Sequence, residues 1–289
     1  VIDINKLDTS GSTAFMLAVQ GTNLLVIRYL YDKFKKSIDY GKHGTCNTSA
    51  LMLSIEHSDI EILQNLVTQH KKTIDVNKQN RLGMTVFMNA AIHANYETFV
   101  FLYEQFTNTI DIDLVEANGN TILLLAARHA SIDILKFFFE KFSPKLDVQN
   151  NDGQDAFMVA IRYSNIPCIN YLCDYHKEKI NFKQQDIYGN NAFMIAARRS
   201  NIEIIKIIHK HFSDQLIMDI RNKEENNAFF ISALNTNILV TRYFFNTYKE
   251  RIDVNKLDND NNTKFMKIIL KCSAPSIQQL CDTFKDTVL

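Results

Sequence analysis

Thr13-Ala14-Phe15-Met16-Leu17-Ala18 is one instance of a pattern that runs through the whole chain. It returns as Ser49-Ala50-Leu51-Met52-Leu53-Ser54, as Thr85-Val86-Phe87-Met88-Asn89-Ala90 and as Thr121-Ile122-Leu123-Leu124-Leu125-Ala126. Further copies open at Asp155, Asn191, Asn227 and Thr263, so the steps are 36, 36, 36, 34, 36, 36 and 36 residues. A fixed period of this size marks a repeat architecture. Eight copies fill the 289 residues, which predicts one domain over 1–289. Its repeats fall near 2–37, 38–73, 74–109, 110–145, 146–179, 180–215, 216–251 and 252–289.

Each copy predicts two short helices. The first opens at Thr13, Ser49, Thr85, Thr121, Asp155, Asn191, Asn227 and Thr263; the second opens ten residues later at Asn23, Asp59, Asn95, Ser131, Asn165, Asn201, Asn237 and Ser273. All sixteen are Ser, Thr, Asp or Asn, types that make up only 82 of the 289 residues. Their side chains accept hydrogen bonds from the unpaired N–H groups of a helix start. Pro167 follows the cap Asn165 by two residues, where its missing N–H costs nothing. The Phe15 and Met16 positions are large and apolar in every copy, and Ile202, Ile204, Ile205 and Ile208 mark one face of a second helix. Neither helix buries its apolar face alone, so stacked copies must share a continuous core.

Polar connections such as Ile2-Asp3-Ile4-Asn5, Ile74-Asp75-Val76-Asn77 and Ile252-Asp253-Val254-Asn255 separate the copies, with Gly11, Gly83, Gly119, Gly153 and Gly189 downstream at the turn. They read as β-hairpins or finger loops. The fold class is therefore all-α, a solenoid of helix pairs joined by such loops.

These residues resemble the ankyrin repeat. The family pattern is an Asp-Val-Asn loop, then Asp-x-x-Gly-x-Thr-Pro-Leu-His-x-Ala-Ala, then a second helix. Here it is matched by Asp8 to Ala18 and by Gly189-Asn-Asn-Ala-Phe-Met-Ile-Ala196-Ala197, the latter followed by Ile202-Glu203-Ile204-Ile205. The chain departs from the family in three ways. The Pro is absent. The His position is Met16 or another apolar residue throughout, so apolar packing is expected to replace the family's Thr–His bonding. The period is 36 instead of 33, which adds nearly a turn to the second helix. That turn carries Phe34, His70, Phe106, Phe142, His176, Phe212, Tyr248 and Phe284, read as an aromatic seam between repeats.

The resemblance implies a protein-binding scaffold, not an enzyme. It also implies binding through the inner helices and finger tips. At the free ends of the inner helices, Arg128, Arg162 and Arg198 form one column and His93, His129, Tyr163 and Arg199 the next. The fingers add Arg81, Met84, Ile187 and Tyr188, which could lend apolar anchors. This stripe points to an acidic peptide or acidic protein surface; the competing reading is a solvated helix face. Two alternative roles remain open: a structural component of a cytoskeletal assembly along microtubules or axonemes, and the regulatory ankyrin arm of a larger enzyme or channel. A chain that opens on Val1 at a finger fits a piece of a longer protein.

Composition narrows the partners. Lys and Arg number 32 against 32 Asp and Glu, and this zero net charge argues against a general nucleic-acid binder. No apolar run approaches the length of a membrane span. The five cysteines, Cys46, Cys168, Cys173, Cys272 and Cys281, read as reduced thiols in the cytoplasm, with Cys168 and Cys173 as core fillers. His57, His93 and His129 share the repeat spacing but sit too far apart to hold one zinc ion. Asp258-Asn-Asp260 lacks the glycine of a calcium loop, and Ile269 stands where that loop has its glutamate. A carboxylate-capturing groove could take Thr287-Val288-Leu289, but a simple chain end is the plainer reading. No metal or cofactor is expected.

Overall fold

The structure is a computed structural model that describes residues 2–21, 23–40, 42, 44, 48–56, 60–129, 132–199, 201–213, 220–235, 237–248, 252, 263–271, 277–278 and 281–282. Asp59, Ser131, Ser273, Cys46, Cys272, His57, Asp258, Asp260, Phe284 and residues 287–289 lie outside the described residues.

Among the described residues there are fifteen α-helices, each opening one residue after a predicted cap. They are α1 (Ala14–Gln20), α2 (Leu24–Phe34), α3 (Ala50–Glu56), α4 (Ile60–His70), α5 (Val86–His93), α6 (Tyr96–Phe106), α7 (Ile122–Arg128) and α8 (Ile132–Phe142). They continue as α9 (Ala156–Arg162), α10 (Ile166–Tyr175), α11 (Ala192–Arg199), α12 (Ile202–Phe212), α13 (Ala228–Leu234), α14 (Ile238–Tyr248) and α15 (Lys264–Lys271). Thr13, Ser49, Thr85, Asp155, Asn191, Asn227 and Thr263 each accept from the N–H three residues on, at 2.8–3.2 Å. Asn23, Asn95, Asn165 and Asn237 do the same for the second helices. Thr121 has the extended cap conformation but makes no side-chain cap bond.

The inner helices α5, α7, α9, α11 and α13 are buried on nearly every side, whereas Leu17 of α1 and Met266 of α15 are exposed. Val86–Ala91, residues 122–127, 156–161, 192–197 and 228–233 are buried without a break. A helix apolar all round must sit between neighbours. The second helices are amphipathic: in α12, Ile204, Ile205, Ile208 and Phe212 are buried while Glu203, Lys206 and Lys210 face out.

The chain divides into two compact units, Val1–Pro144 and Lys145–Leu289. In the first, the inner helices α1, α3, α5 and α7 pack in sequence, and each carries its outer partner. In the second, α9, α11, α13 and α15 do so, with α10, α12 and α14 behind the first three of them. Met16, Met52, Met88, Met158 and Met194 are buried, which bears out apolar packing in place of the His there, while Met266 in the last repeat is exposed. The extra helical turn does carry rings that touch a neighbouring repeat: Phe142 meets Tyr103 at 5.6 Å and Tyr248 meets His209 at 5.6 Å. Others face inward, and Phe212 stacks on Phe182 at 4.9 Å. Burial pushes the Cys168 and Cys173 thiols up to about 12, as befits core fillers.

No strand occurs among the described residues, so the connections are finger loops and not β-hairpins. The reason is local. Asn5 N–H donates to Asp3 Oδ1 and Asn77 N–H to Asp75 Oδ1, both at 3.0 Å, which folds each leg back on itself. Each fingertip is then a tight turn. Gly83 N–H donates to Asn80 O and Asn80 N–H to Met84 O, both at 2.9 Å; Gly153 with Asn150 and Gly189 with Asp186 repeat the arrangement. These glycines have φ of 73° to 79°. A Cβ at Gly83, Gly153 or Gly189 would also lie 2.8–2.9 Å from the backbone of the next finger. That next finger donates back: Ala117 N–H to Leu82 O, Ile187 N–H to Asp152 O, and Lys223 N–H to Tyr188 O, at 2.8–3.0 Å. Side-chain amides add a second tie. Gln79 Nε2 reaches both Gly83 O at 2.7 Å and Val115 O at 2.8 Å. Gln185 Nε2 reaches Gly189 O and, at 3.0 Å, Arg221 O.

The seventh finger lacks its glycine. Glu225 takes that place at φ 59°, with its N–H on Asn222 O at 2.9 Å. A left-handed backbone costs a residue with a Cβ about 1–2 kcal/mol, part of which glycine returns through its freedom in the unfolded chain. Glu225→Gly is therefore expected to raise stability by about 0.5–1 kcal/mol in urea denaturation.

Asp155 caps α9 from a site only 3% exposed. Desolvation raises its carboxyl from the ordinary 3.8 to about 6, against the bond it accepts from Met158 N–H. Between those two values the folded protein keeps a proton that the unfolded chain has released. The contribution of Asp155 to stability is thus greatest below about pH 4 and is lost as pH rises through 6. Asn191 and Asn227 make the same cap without a charge. Asp155→Asn should raise stability at pH 7 by about 1–3 kcal/mol and change it little at pH 4, as thermal melts at the two pH values will read.

Candidate functional site

An inner helix buried along its length leaves only its last turn to solvent, and the predicted binding residues collect there. His93 ends α5, Arg128 ends α7, Arg162 ends α9, and Arg198 and Arg199 end α11. His129 and Tyr163 cap the C-termini of α7 and α9, their N–H groups on Leu125 O and Val159 O. Tyr188 stands on the finger before α11, 55% exposed. Cations at a helix C-terminus also favour the helix, by about 0.3–1 kcal/mol each, so charge there has a structural reason as well.

In the first unit, His93, Arg128 and His129 share one neighbourhood. Burial lowers the His129 imidazole below its ordinary 6.5, and the nearby Arg128 and His93 charges lower it further. His129 is therefore mostly neutral at pH 7 and offers hydrogen bonds instead of charge. The second unit holds the more developed arrangement, a cleft of about 310 Å³ between a finger and the inner helices of adjacent repeats. Its walls include Arg162, Arg198, Arg199 and Tyr188 from the predicted set, but Tyr163, 42% exposed, is not among them. Arg162 pairs with Asp152 at 3.6 Å, both half exposed, a contact of little energetic weight. Arg198 and Arg199 are exposed and have no ion-pair partner among the described residues.

Three polar cleft residues escaped the sequence reading as binding residues: Gln154, Asp186 and Asn190; Met194 and Ile195 line the cleft from the core side of α11. Asp186 closes its own fingertip, accepting from Tyr188 N–H at 2.9 Å and Asn190 N–H at 2.8 Å. Asn190 Oδ1 accepts from Asn222 Nδ2 at 2.9 Å, which ties this finger to the next. Gln154 precedes the cap Asp155 and is 2% exposed. Residues before a cap looked like loop, so nothing in their identity marked them. The bridging glutamines did leave a signal, since Gln149 and Gln185 stand one period apart. Among the described residues no cluster of His, Cys, Asp and Glu is suited to a metal, and no helix is long and apolar enough to cross a membrane.

Stacked helix pairs, fingers bonded one to the next and a polar inner edge define a helical-repeat interaction domain. The family model described as ankyrin repeats (three copies) matches residues 1–80, 51–146 and 142–219. The chain belongs to the ankyrin repeat family. Among solved structures it is similar to the crystal structure of the ankyrin repeat domain of Bcl-3, described as a unique member of the IkappaB protein family. The identity is 16%, the TM-score 0.60, and the match covers 80% of this chain and 96% of that one. That likeness is one of fold. No curated protein matches the chain by sequence. Ankyrin repeats are generally modules for protein–protein interaction.

The His129 neighbourhood gives a direct check. An NMR titration of the imidazole protons should place its midpoint below the ordinary histidine value. Arg128→Gln should move it only part of the way back, because desolvation is the larger cause.

Proposed function

We infer that this chain is a non-enzymatic scaffold that holds an acidic protein segment against the free ends of its inner helices and the fingers beside them. The observation that carries this reading is the exposed pair Arg198 and Arg199. In a chain of zero net charge, these two cations have no ion-pair partner among the described residues. They flank a cleft with a third arginine, Arg162, and the Tyr188 ring. Arg and Tyr are the side chains that most often dominate binding energy at interfaces. In the first unit His93, Arg128 and His129 offer a polar helix end of the same kind, and in the second Tyr163 caps α9. A solvated face of the same charges would bind nothing selectively, so the two readings part on a charge-reversal experiment.

Affinity capture from native extract should be run with wild type and with Arg128→Glu/Arg162→Glu/Arg198→Glu side by side, bound proteins being identified by mass spectrometry. The expected result is a partner present with wild type and lost with the variant, whose helical circular dichroism is unchanged. Equal capture by both would sink the acidic-partner reading.

A further inference from the structure

Inside the cleft of the second unit, nearly every polar group has its partner. Asp186 Oδ1 is occupied by two backbone N–H groups, and its Oδ2 meets Asn190 Nδ2 at 3.4 Å. Asn190 Oδ1 is taken by Asn222. Arg162 faces Asp152. Besides the Tyr188 hydroxyl at the edge, three groups remain. Gln154 Nε2 is buried and has no hydrogen-bond partner, and Arg198 and Arg199 have no ion-pair partner among the described residues. All three are donors only. A buried amide N–H without a partner carries a desolvation cost that no bond offsets. The residue is not fixed by its backbone role, since Gln154 uses only its main-chain N–H and C=O to close the turn with Asn150.

We propose that this cleft is a socket for one carboxylate side chain, a Glu or Asp on an extended segment of the partner, with Gln154 as its specificity-determining donor. The proposal rests on the acidic-partner reading and narrows it to one residue of the partner. A carboxylate accepts from a guanidinium and an amide at once, through bonds stronger than neutral ones. A Gln side chain offers one neutral acceptor oxygen in place of two charged ones and turns its NH₂ toward the remaining donors, so it loses the charge-assisted bonds to the arginines. The Asp186 carboxylate lines the same wall, so a second negative charge on the ligand meets repulsion there. That disfavours a phosphate against a carboxylate. At about 310 Å³ the cleft is at the low end of ligand pockets, a size for a side chain and not for a helix. Tyr188, exposed at the edge, can cover the aliphatic stem of a Glu.

The test uses the whole chain with ¹⁵N-labelled glutamine side chains. The probes are acetyl-Ala-Ala-Glu-Ala-Ala-amide and its Gln and phosphoserine counterparts. The Gln154 amide signals are assigned by their loss in Gln154→Met. The Glu peptide should shift those signals saturably, and the other two should not. By arginine side-chain shifts, Gln154→Met should bind the Glu peptide roughly five- to tenfold more weakly. It should also melt about 2–4 °C higher, because an unpaired buried donor is gone. Arg198→Gln/Arg199→Gln should weaken the peptide at least as much. A Gln154→Met protein that binds like wild type would overturn the socket and leave the acidic face standing. Equal shifts with the Glu and Gln peptides would overturn it too. If no peptide moves any signal while charge reversal still abolishes capture of the partner, the socket alone falls; if charge reversal also has no effect, both fall.

Discussion

A helix of seven residues does not persist in water, since the cost of nucleating it exceeds what so few backbone bonds return. Five of the inner helices here are that short, and everything else in the molecule depends on how they are held. Two things hold them. A polar cap fixes the first residue, and burial of nearly the whole barrel supplies the energy. Because the cap sets the start and the length is constant within a residue, the last turn of each helix is set as well. In α5, α7, α9 and α11 that turn is where the inner layer reaches solvent. The candidate binding face is thus a by-product of capping: the same rule that begins these four helices delivers their C-terminal Arg or His to the surface.

Between repeats the hydrogen bonds run backbone to backbone at the fingertips and through Asn and Gln side chains elsewhere. The family's Thr–His bonding has no counterpart here because Met or another apolar residue fills the His place. In its stead the fingers hydrogen-bond directly to one another, and Gln79 and Gln185 clamp two fingers with one amide. Each such bond contributes only about 0.5–1.5 kcal/mol net, but they recur with the period. Asn5 does the same at the base of a finger, with Nδ2 on Ser37 O at 2.6 Å and Oδ1 accepting from Asp39 N–H at 2.8 Å.

The sequence was most legible where one residue type performs one local task. Cap residues mark helix starts whatever surrounds them, and each of the fifteen described helices opens one residue after a predicted cap position. Glycines at a fixed offset announced the fingertips. The hairpin option failed because the Asp-x-Asn leg bonds to itself, a side-chain effect that alternation of polar and apolar residues does not report. Gln154 and Asp186 were illegible for another reason. Their roles arise only when a finger of one repeat meets the helix of the next, and no periodicity encodes that meeting. Glu225 shows the same limit from the opposite side: a residue that local preference rejects is kept in place by its neighbours.

The fingertip turn divides its four positions into two kinds. Its first residue and its glycine are bound by hydrogen bonds and by the backbone of the next finger. The two between them vary in type, and where their side chains bond they do so locally, Asn118 to Glu116, Asp152 to Arg162 and Glu224 to Asn226. They read Arg81-Leu82, Ala117-Asn118, Asn151-Asp152, Ile187-Tyr188 and Lys223-Glu224 along the chain, apolar, basic, acidic and amide by turns. Each repeat therefore carries a two-letter word on a fixed page. Rewriting those words alters what the row of tips says to a partner without touching the grammar that keeps the row in line.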